Sequence, residues 1–281
     1  MANSPTMRRK RLGAELRRLR GEADVSAEQA AEVLDCSVSR IGHFENGRNA
    51  PRKPDLQVLL DFYGVSAEVR AVLEQLRKEG TQRGWWATYK LPPWLQTYVG
   101  MEADATSIRV FEIELVTALL QTKAYARRVQ NKRSNADSTE ADERFASARI
   151  RRQQVLDEPG GPSLSAILSE SALLRAAHEP DVGAEQLRHL VTMSKKPNIS
   201  IRVLPLAAGL HSSMSGSFHL LDFDPEVSTS VAYQEYAVGG HLIDDPDVVG
   251  TLGELHETLK SAALGEVKSR SLIERLARET G

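Results

Sequence analysis

Two stretches of the chain carry polar side chains whose types and spacing are able to do chemistry. The first is SVSRIGHFENGRNAPRK, residues 37–53. Ile41 and Phe44 take the inner face of a short helix there, which leaves Val38, Ser39, Gly42 and His43 facing outward with Arg40 beside them. Gly42 costs a helix roughly 0.5–1 kcal/mol relative to alanine, a cost that close approach to a partner would offset. Asn46, Arg48, Asn49, Arg52 and Lys53 follow in a turn of amides and cations. Such a turn offers hydrogen bonds and charge to a polyanion.

The second stretch is the loop Gly209 to Gly216, with His211, Ser212, Ser213 and Ser215, and with Asp222, Asp224 and Glu235 downstream. A nucleophile, a base and an orienting carboxylate are all present by type, the ingredients of hydrolysis. The strand-to-helix G-x-S-x-G elbow that would expose a serine is missing, so no catalytic residue is assigned and no enzyme is expected. His178, His189, His211, His219, His241 and His256 show no ligand spacing, and the lone Cys36 lies far from them in sequence; no metal is expected. No glycine-rich phosphate loop is present, and no cofactor is expected.

The elements that position residues 37–53 are legible around them. Leu12, Leu16 and Leu19 predict a first helix from about Arg8 to Gly21. Ser26 with Gln29 forms a capping-box pattern before a second helix, whose Ala27, Ala30 and Ala31 permit close approach of a neighbour. Asp35 and Cys36 break it, Ser37 caps a third helix reaching about Asn46, and Gly47 ends that. Pro54 is placed to open a fourth helix and Ser66 to cap a fifth. Residues 1–79 are therefore expected as a mainly α, five-helix domain. Up to Lys53 there are 11 Lys and Arg against 7 Asp and Glu, so this part carries +4 of a chain whose net charge is −2. That asymmetry also favours a polyanionic partner.

Residues 80–98 read as a junction containing Trp85, Trp86 and Trp94 among glycines and prolines, whose rings are expected to pack the linker. The spacing of Ile108, Phe111, Leu115 and Leu119 predicts helix across 103–128, and a charged helix follows from about Ser138 to Leu156. Beyond Pro159-Gly160-Gly161-Pro162, the segments SLSAIL, SIRVLP, SFHLLDF and SVAYQEY read as strands, with ESALLRAA and AEQLRHLVTMSKK as helices between the first two. Helices are expected again over 246–264 and 269–278. Residues 99–281 are thus expected as a mixed α/β domain. With 41% apolar and 26% charged residues the chain has the composition of a globular protein. No signal peptide and no run of about 18 apolar residues are visible, and a single cysteine rules out an internal disulfide. A cytoplasmic protein with no membrane partner is expected.

The run from Leu12 to Arg52 resembles the helix-turn-helix of the Cro and phage-repressor type, also called the xenobiotic-response-element type. The resemblance rests on Leu16, Leu19, Ala31, Ser37, Ile41, Glu45, Gly47, Arg48 and Pro51. Asp35 stands where that family usually has glycine, and Ala27 where it often has a glutamine that touches DNA. The resemblance implies that the helix after Ser37 enters the major groove of double-stranded DNA, with Val38, Ser39 and His43 facing bases. Val38 would touch a thymine methyl, and Arg40 would serve a guanine or a phosphate. Asn46, Arg48, Asn49, Arg52 and Lys53 would hold phosphates. One such module contacts few base pairs, so a homodimer on a two-fold symmetric operator is expected, acting as a transcriptional regulator.

From about Val99 onward the chain resembles the uncharacterised C-terminal domain of the WhiJ-like regulators of actinomycetes. The matching residues are Glu102, Ala103, Ile108, Arg109, LLQT at 119–122, YAR at 125–127, RRQ at 151–153, VLP at 203–205, Gly209 and His211. Thr117-Ala118 replaces the Pro-Gly usual before LLQT. This resemblance implies binding of a small protein encoded next door. Two alternatives are a small-molecule effector held near AGLHSSMSG and a hydrolase tethered to DNA.

Overall fold

In the computed structural model, which describes residues 4–134, 140–225 and 229–280, the chain enters helix α1 (Pro5–Glu22) under a cap. Ser4 accepts the amide of Met7 at 3.2 Å and Pro5 presets the first helical φ, so the helix starts three residues before Arg8. Helix α2 (Ala27–Val33) begins with the anticipated capping box: Gln29 N–H donates to Ser26 Oγ at 3.2 Å and Ser26 N–H to Gln29 Oε1 at 2.8 Å. Helix α3 (Val38–Glu45) starts where Ser37 Oγ accepts the Arg40 amide at 3.3 Å. Helices α4 (Lys53–Phe62) and α5 (Ala67–Gly80) complete the five. Leu12, Leu16, Ala30, Ala31, Ile41, Phe44, Leu56, Leu59 and Leu73 converge on one core.

Two glycines allow the backbones of this bundle to meet. A Cβ on Gly13 would lie 2.4 Å from the carbonyl oxygens of Phe44 and Glu45, so α1 touches the end of α3 directly. Gly47 has φ +66°, and its Cβ would fall 2.6 Å from Lys10 Cα. Glycine at 47 is required twice, by conformation and by space.

Contacts divide the chain into two compact units, the first built from residues up to Ala87 together with Pro225 and the second opening at Thr88. In the first, the Trp85 and Trp86 rings meet edge to face at 5.9 Å. In the stretch expected as a junction, the second unit opens with a helix, α6 (Pro93–Glu102). The helix expected across 103–128 is not formed. Residues Ser107–Glu112 are strand β1, Ala118–Leu120 a 3-10 turn, and only then does α7 (Lys123–Ser134) begin. Helix α8 (Glu140–Gln153) and a 3-10 turn, Gln154–Asp157, fill the next predicted helix, whose start at Ser138 lies outside the described residues.

The four predicted strands appear as β2 (Ser163–Ser169), β3 (Ile199–Leu204), β4 (Phe218–Asp222) and β5 (Val231–Tyr236). A further strand, β6 (Gly239–Ile243), was not anticipated. Helices α9 (Glu170–Ala177) and α10 (Gly183–Met193) connect β2 to β3, and α11 (Pro246–Ala262) and α12 (Glu266–Thr280) follow the sheet. The strand order is β3-β2-β1-β4-β5-β6. β1, β2 and β3 run parallel, whereas β4, β5 and β6 pair antiparallel. β1 is therefore interior, with Phe111 opposite Ile167 on one side and Phe218 on the other. Ile108 and Val110 on one face and Phe111 on the other are all fully buried, the mark of a strand covered on both faces.

Candidate nucleic-acid interface

The turn between α2 and α3 is closed by backbone hydrogen bonds. Asp35 N–H donates to Glu32 O at 3.0 Å and Cys36 N–H to Ala31 O at 2.9 Å. Asp35 adopts φ +47°, the left-handed conformation that glycine takes easily and aspartate tolerates. Ala30 and Ala31 are buried, so α3 packs tightly against α2. Ile41 and Phe44 anchor α3 from below. Its far end is tied to α1 by a largely buried ion pair: Arg20 Nε donates to Glu45 Oε1 at 2.6 Å and Arg20 Nη2 to Oε2 at 3.1 Å.

With that orientation fixed, the remaining face of α3 points to solvent. Val38 is 43% exposed. Ser39 is exposed and His43 half-buried. A Cβ on Gly42 would meet nothing within 4 Å. Arg40 stands apart from these: its Nη2 donates to Asp55 Oδ2 at 2.7 Å, and its guanidinium lies over the Phe44 ring at 5.4 Å.

The turn after α3 folds back on His43, whose carbonyl accepts the amides of Arg48 at 2.9 Å and Asn49 at 3.2 Å. Asn46, Arg48, Asn49, Arg52 and Lys53 are all exposed. None of Arg48, Arg52 and Lys53 forms an ion pair with another described residue. Other cations of the basic N-terminal part are engaged inside the fold. Arg18 bridges Glu15 and Glu22, and Arg8 meets Glu79 at 3.2 Å. Arg9 Nη1 donates to Gly80 O at 2.8 Å, and burial pushes its pKa down. Sequence charge counts these groups equally; in the fold Arg48, Arg52 and Lys53 remain without an ion pair to another described residue.

A helix-turn-helix domain model matches residues 11–73, which contain α2, the turn, α3 and the cationic loop. The model of a domain of unknown function, DUF5753, matches residues 95–275 and takes in all six strands. The chain belongs to the DUF5753 family. No curated protein and no solved structure matches it. Its N-terminal domain is a DNA-binding helix-turn-helix domain, followed by the mixed α/β DUF5753 domain.

Within the DUF5753 domain the residues drawn from the loop 209–216 do not assemble as a triad. His211 Nδ1 accepts the Ser213 amide at 3.3 Å, Ser213 Oγ donates to Gly216 O at 2.9 Å, and the His211 ring meets Phe111 edge-on at 5.4 Å. Asp222 is clamped by Arg109, with Nε to Oδ2 and Nη2 to Oδ1 both at 3.0 Å, and accepts Ser230 Oγ at 2.8 Å. Among the described residues no group of three or more His, Cys, Asp and Glu gathers as for a metal, and no helix is long and apolar enough to cross a membrane.

Sequence reasoning missed a buried polar network in the same domain. Arg152 donates from Nε to Glu102 Oε1 at 2.8 Å and from Nη2 to Oε2 at 2.7 Å. Burial alone would push the Arg152 pKa down, but the Glu102 carboxylate more than reverses this and holds the guanidinium charged. The Tyr98 ring lies 5.3 Å from that guanidinium, and Tyr98 Oη is 2.8 Å from His219 Nδ1. His219 Nε2 is 2.9 Å from Glu112 Oε1. Glu102 and the Arg151–Gln153 run carry part of the resemblance noted above, which was the signal available; their pairing across 50 residues was not.

Proposed function

We propose that the chain is a sequence-specific transcriptional regulator of the Cro and phage-repressor type that works in the cytoplasm as a homodimer on a two-fold symmetric operator. The observation that carries this reading is the solvent face of α3, where exposed Val38 and Ser39 and half-buried His43 stand beside a loop of unpaired cations. The side chains of α3 suit base edges in the major groove, and Asn46, Arg48, Asn49, Arg52 and Lys53 suit phosphates. Arg40, held by Asp55, is better placed to position the backbone than to search for guanine. Exposed Val58 and Phe62 on α4 and Val72 on α5 support a dimer contact. The DUF5753 domain is the regulatory part, and the resemblance to WhiJ-like regulators makes a small protein encoded next door its partner. Leu210, 89% exposed, and Met214, 58% exposed, support such a contact.

Gel retardation with the full-length protein and its own upstream region tests the DNA reading. A specific band should survive excess unrelated DNA and weaken steeply with salt. Equal binding to scrambled sequence at every salt concentration, or no binding at low salt, would overturn it. Failure of the purified neighbouring product to co-purify with the full-length chain would remove the partner.

A further inference from the structure

The second unit contains a cavity of about 520 Å³ between α6, α8, β1, β4 and the β5–β6 hairpin, and it does not coincide with the loop 208–216. That volume suits a small organic molecule. Six rings contribute to its wall: Trp94, Tyr98, Phe145, Phe218, Tyr233 and Tyr236. Tyr98, Phe218 and Tyr233 are buried and form the floor, with Tyr98 and Tyr233 stacked at 4.2 Å. Tyr236 and Val238, 56% and 89% exposed, form a rim at which a ligand could enter.

The charges facing the cavity select the kind of ligand. Arg152 is closed on Glu102, and Glu114 pairs with Arg175. Arg149 donates to Gln121 Oε1 at 2.9 Å. The Glu112 carboxylate lines the cavity as well. His219 lies between Tyr98 Oη and Glu112 Oε1, and its bond to Glu112 satisfies one carboxylate oxygen. The other oxygen of Glu112 accepts no hydrogen bond from a described residue. That oxygen is not buried by the protein, so a ligand in the cavity can reach it, and a charged N–H donor would bond it most strongly. Electron-rich ring faces around it attract the same charge.

We infer that this cavity binds a small organic cation, an amine or amidine carried on an aromatic or apolar body, with Glu112 accepting its N–H and the rings enclosing the rest. An anion would meet the Glu112 carboxylate and is disfavoured. This assignment does not depend on DNA binding, so its failure would leave the helix-turn-helix reading intact.

Calorimetric titration of the full-length protein with three probes of one shape tests it: phenethylamine, phenethyl alcohol and phenylpropionate. The amine should bind with a dissociation constant on the order of 1 mM or tighter, as its size allows. The alcohol should bind more weakly and the acid least. Glu112→Gln should weaken the amine about tenfold or more and leave the alcohol unchanged. Val238→Lys adds a repelling charge at an exposed rim position that the fold does not need, and should weaken the amine alone. The assignment falls if the acid binds as tightly as the amine, if no probe binds, or if amine binding survives both substitutions.

Discussion

Val38 has no hydrogen bond to offer, and its role on an exposed helix face follows from that lack. A valine that touches a thymine methyl contributes to sequence preference through one base pair. Val38→Ala and His43→Ala are expected to reorder the affinities of operator variants, with losses of about 1–3 kcal/mol confined to the bases each one reads. Arg48→Ala should weaken all sequences alike and reduce the salt slope by about one. Retardation assays over a panel of variant operators and salt concentrations separate the two patterns; an unchanged ranking for both α3 variants would remove the base-reading roles. Asp35 gives a stability prediction from its left-handed φ. Asp35→Gly should raise the thermal midpoint, whereas Asp35→Val should cost about 1–2 kcal/mol, read from equilibrium unfolding.

His256 makes a second residue-scale prediction. It is fully buried on α11, neither ring nitrogen has a hydrogen-bond partner, and Glu257 Oε1 is 3.6 Å from Nδ1, too far to bond. Burial pushes its pKa down; Glu257 pulls it back, while Arg109 and Lys260 oppose protonation. The unfolded chain takes up a proton as pH falls through about 6.5, and the folded chain does so only at lower pH. His256 therefore leaves stability intact above that pH and lowers it progressively below. His256→Leu should flatten the fall of the thermal midpoint between neutral and mildly acidic pH. His189, also pushed down by burial, will retain part of the slope.

At the scale of elements, legibility followed the range of the interactions. Ser26 with Gln29, Ser37, and Gly47 mark helix ends through bonds within a few residues, so each was readable in the sequence. β1 was not readable. Ile108, Phe111, Leu115 and Leu119 imitate a helical stripe, and the alternation of Ser107, Ile108, Arg109 and Val110 stops at the buried Phe111, too short a run to outweigh that stripe. β6 is short and opens with Gly239 and Gly240, which removes the β-forming residues that announce a strand. Phe111→Ala tests the corrected position of β1. Loss of an interior ring between Ile167 and Phe218 should cost about 3–5 kcal/mol, measured by denaturant unfolding. A ring on the outer face of an amphipathic helix would cost much less.

For the whole molecule, the mainly α first part and the mixed second part were both visible in sequence, and so was the face of α3. What joins distant segments was not: Arg20 with Glu45, Glu102 with Arg152, and Arg109 with Asp222 become partners only when the chain has folded. Gly13 belongs with them, because a glycine inside a helical pattern signals close approach without saying to what. Oligomeric state is the prediction at this scale. Phe62→Glu places a charge on the exposed apolar patch of α4, and should convert a dimer to a monomer in sedimentation equilibrium while weakening operator binding. A wild-type monomer that binds its operator fully would remove the dimer.

The interior position of β1 also sets an order in time. The five-helix part closes through neighbours within its first 80 residues, so it can fold while the rest of the chain is still emerging from the ribosome. β1 emerges soon afterwards but has no partner until residues 163–169 appear, and lacks its second until 218–222. During that interval Ile108, Val110 and Phe111 are an uncovered apolar strand, the kind of segment that aggregates or engages chaperones. A chain cut short before β4 would carry a finished DNA-binding unit attached to a sticky half-sheet.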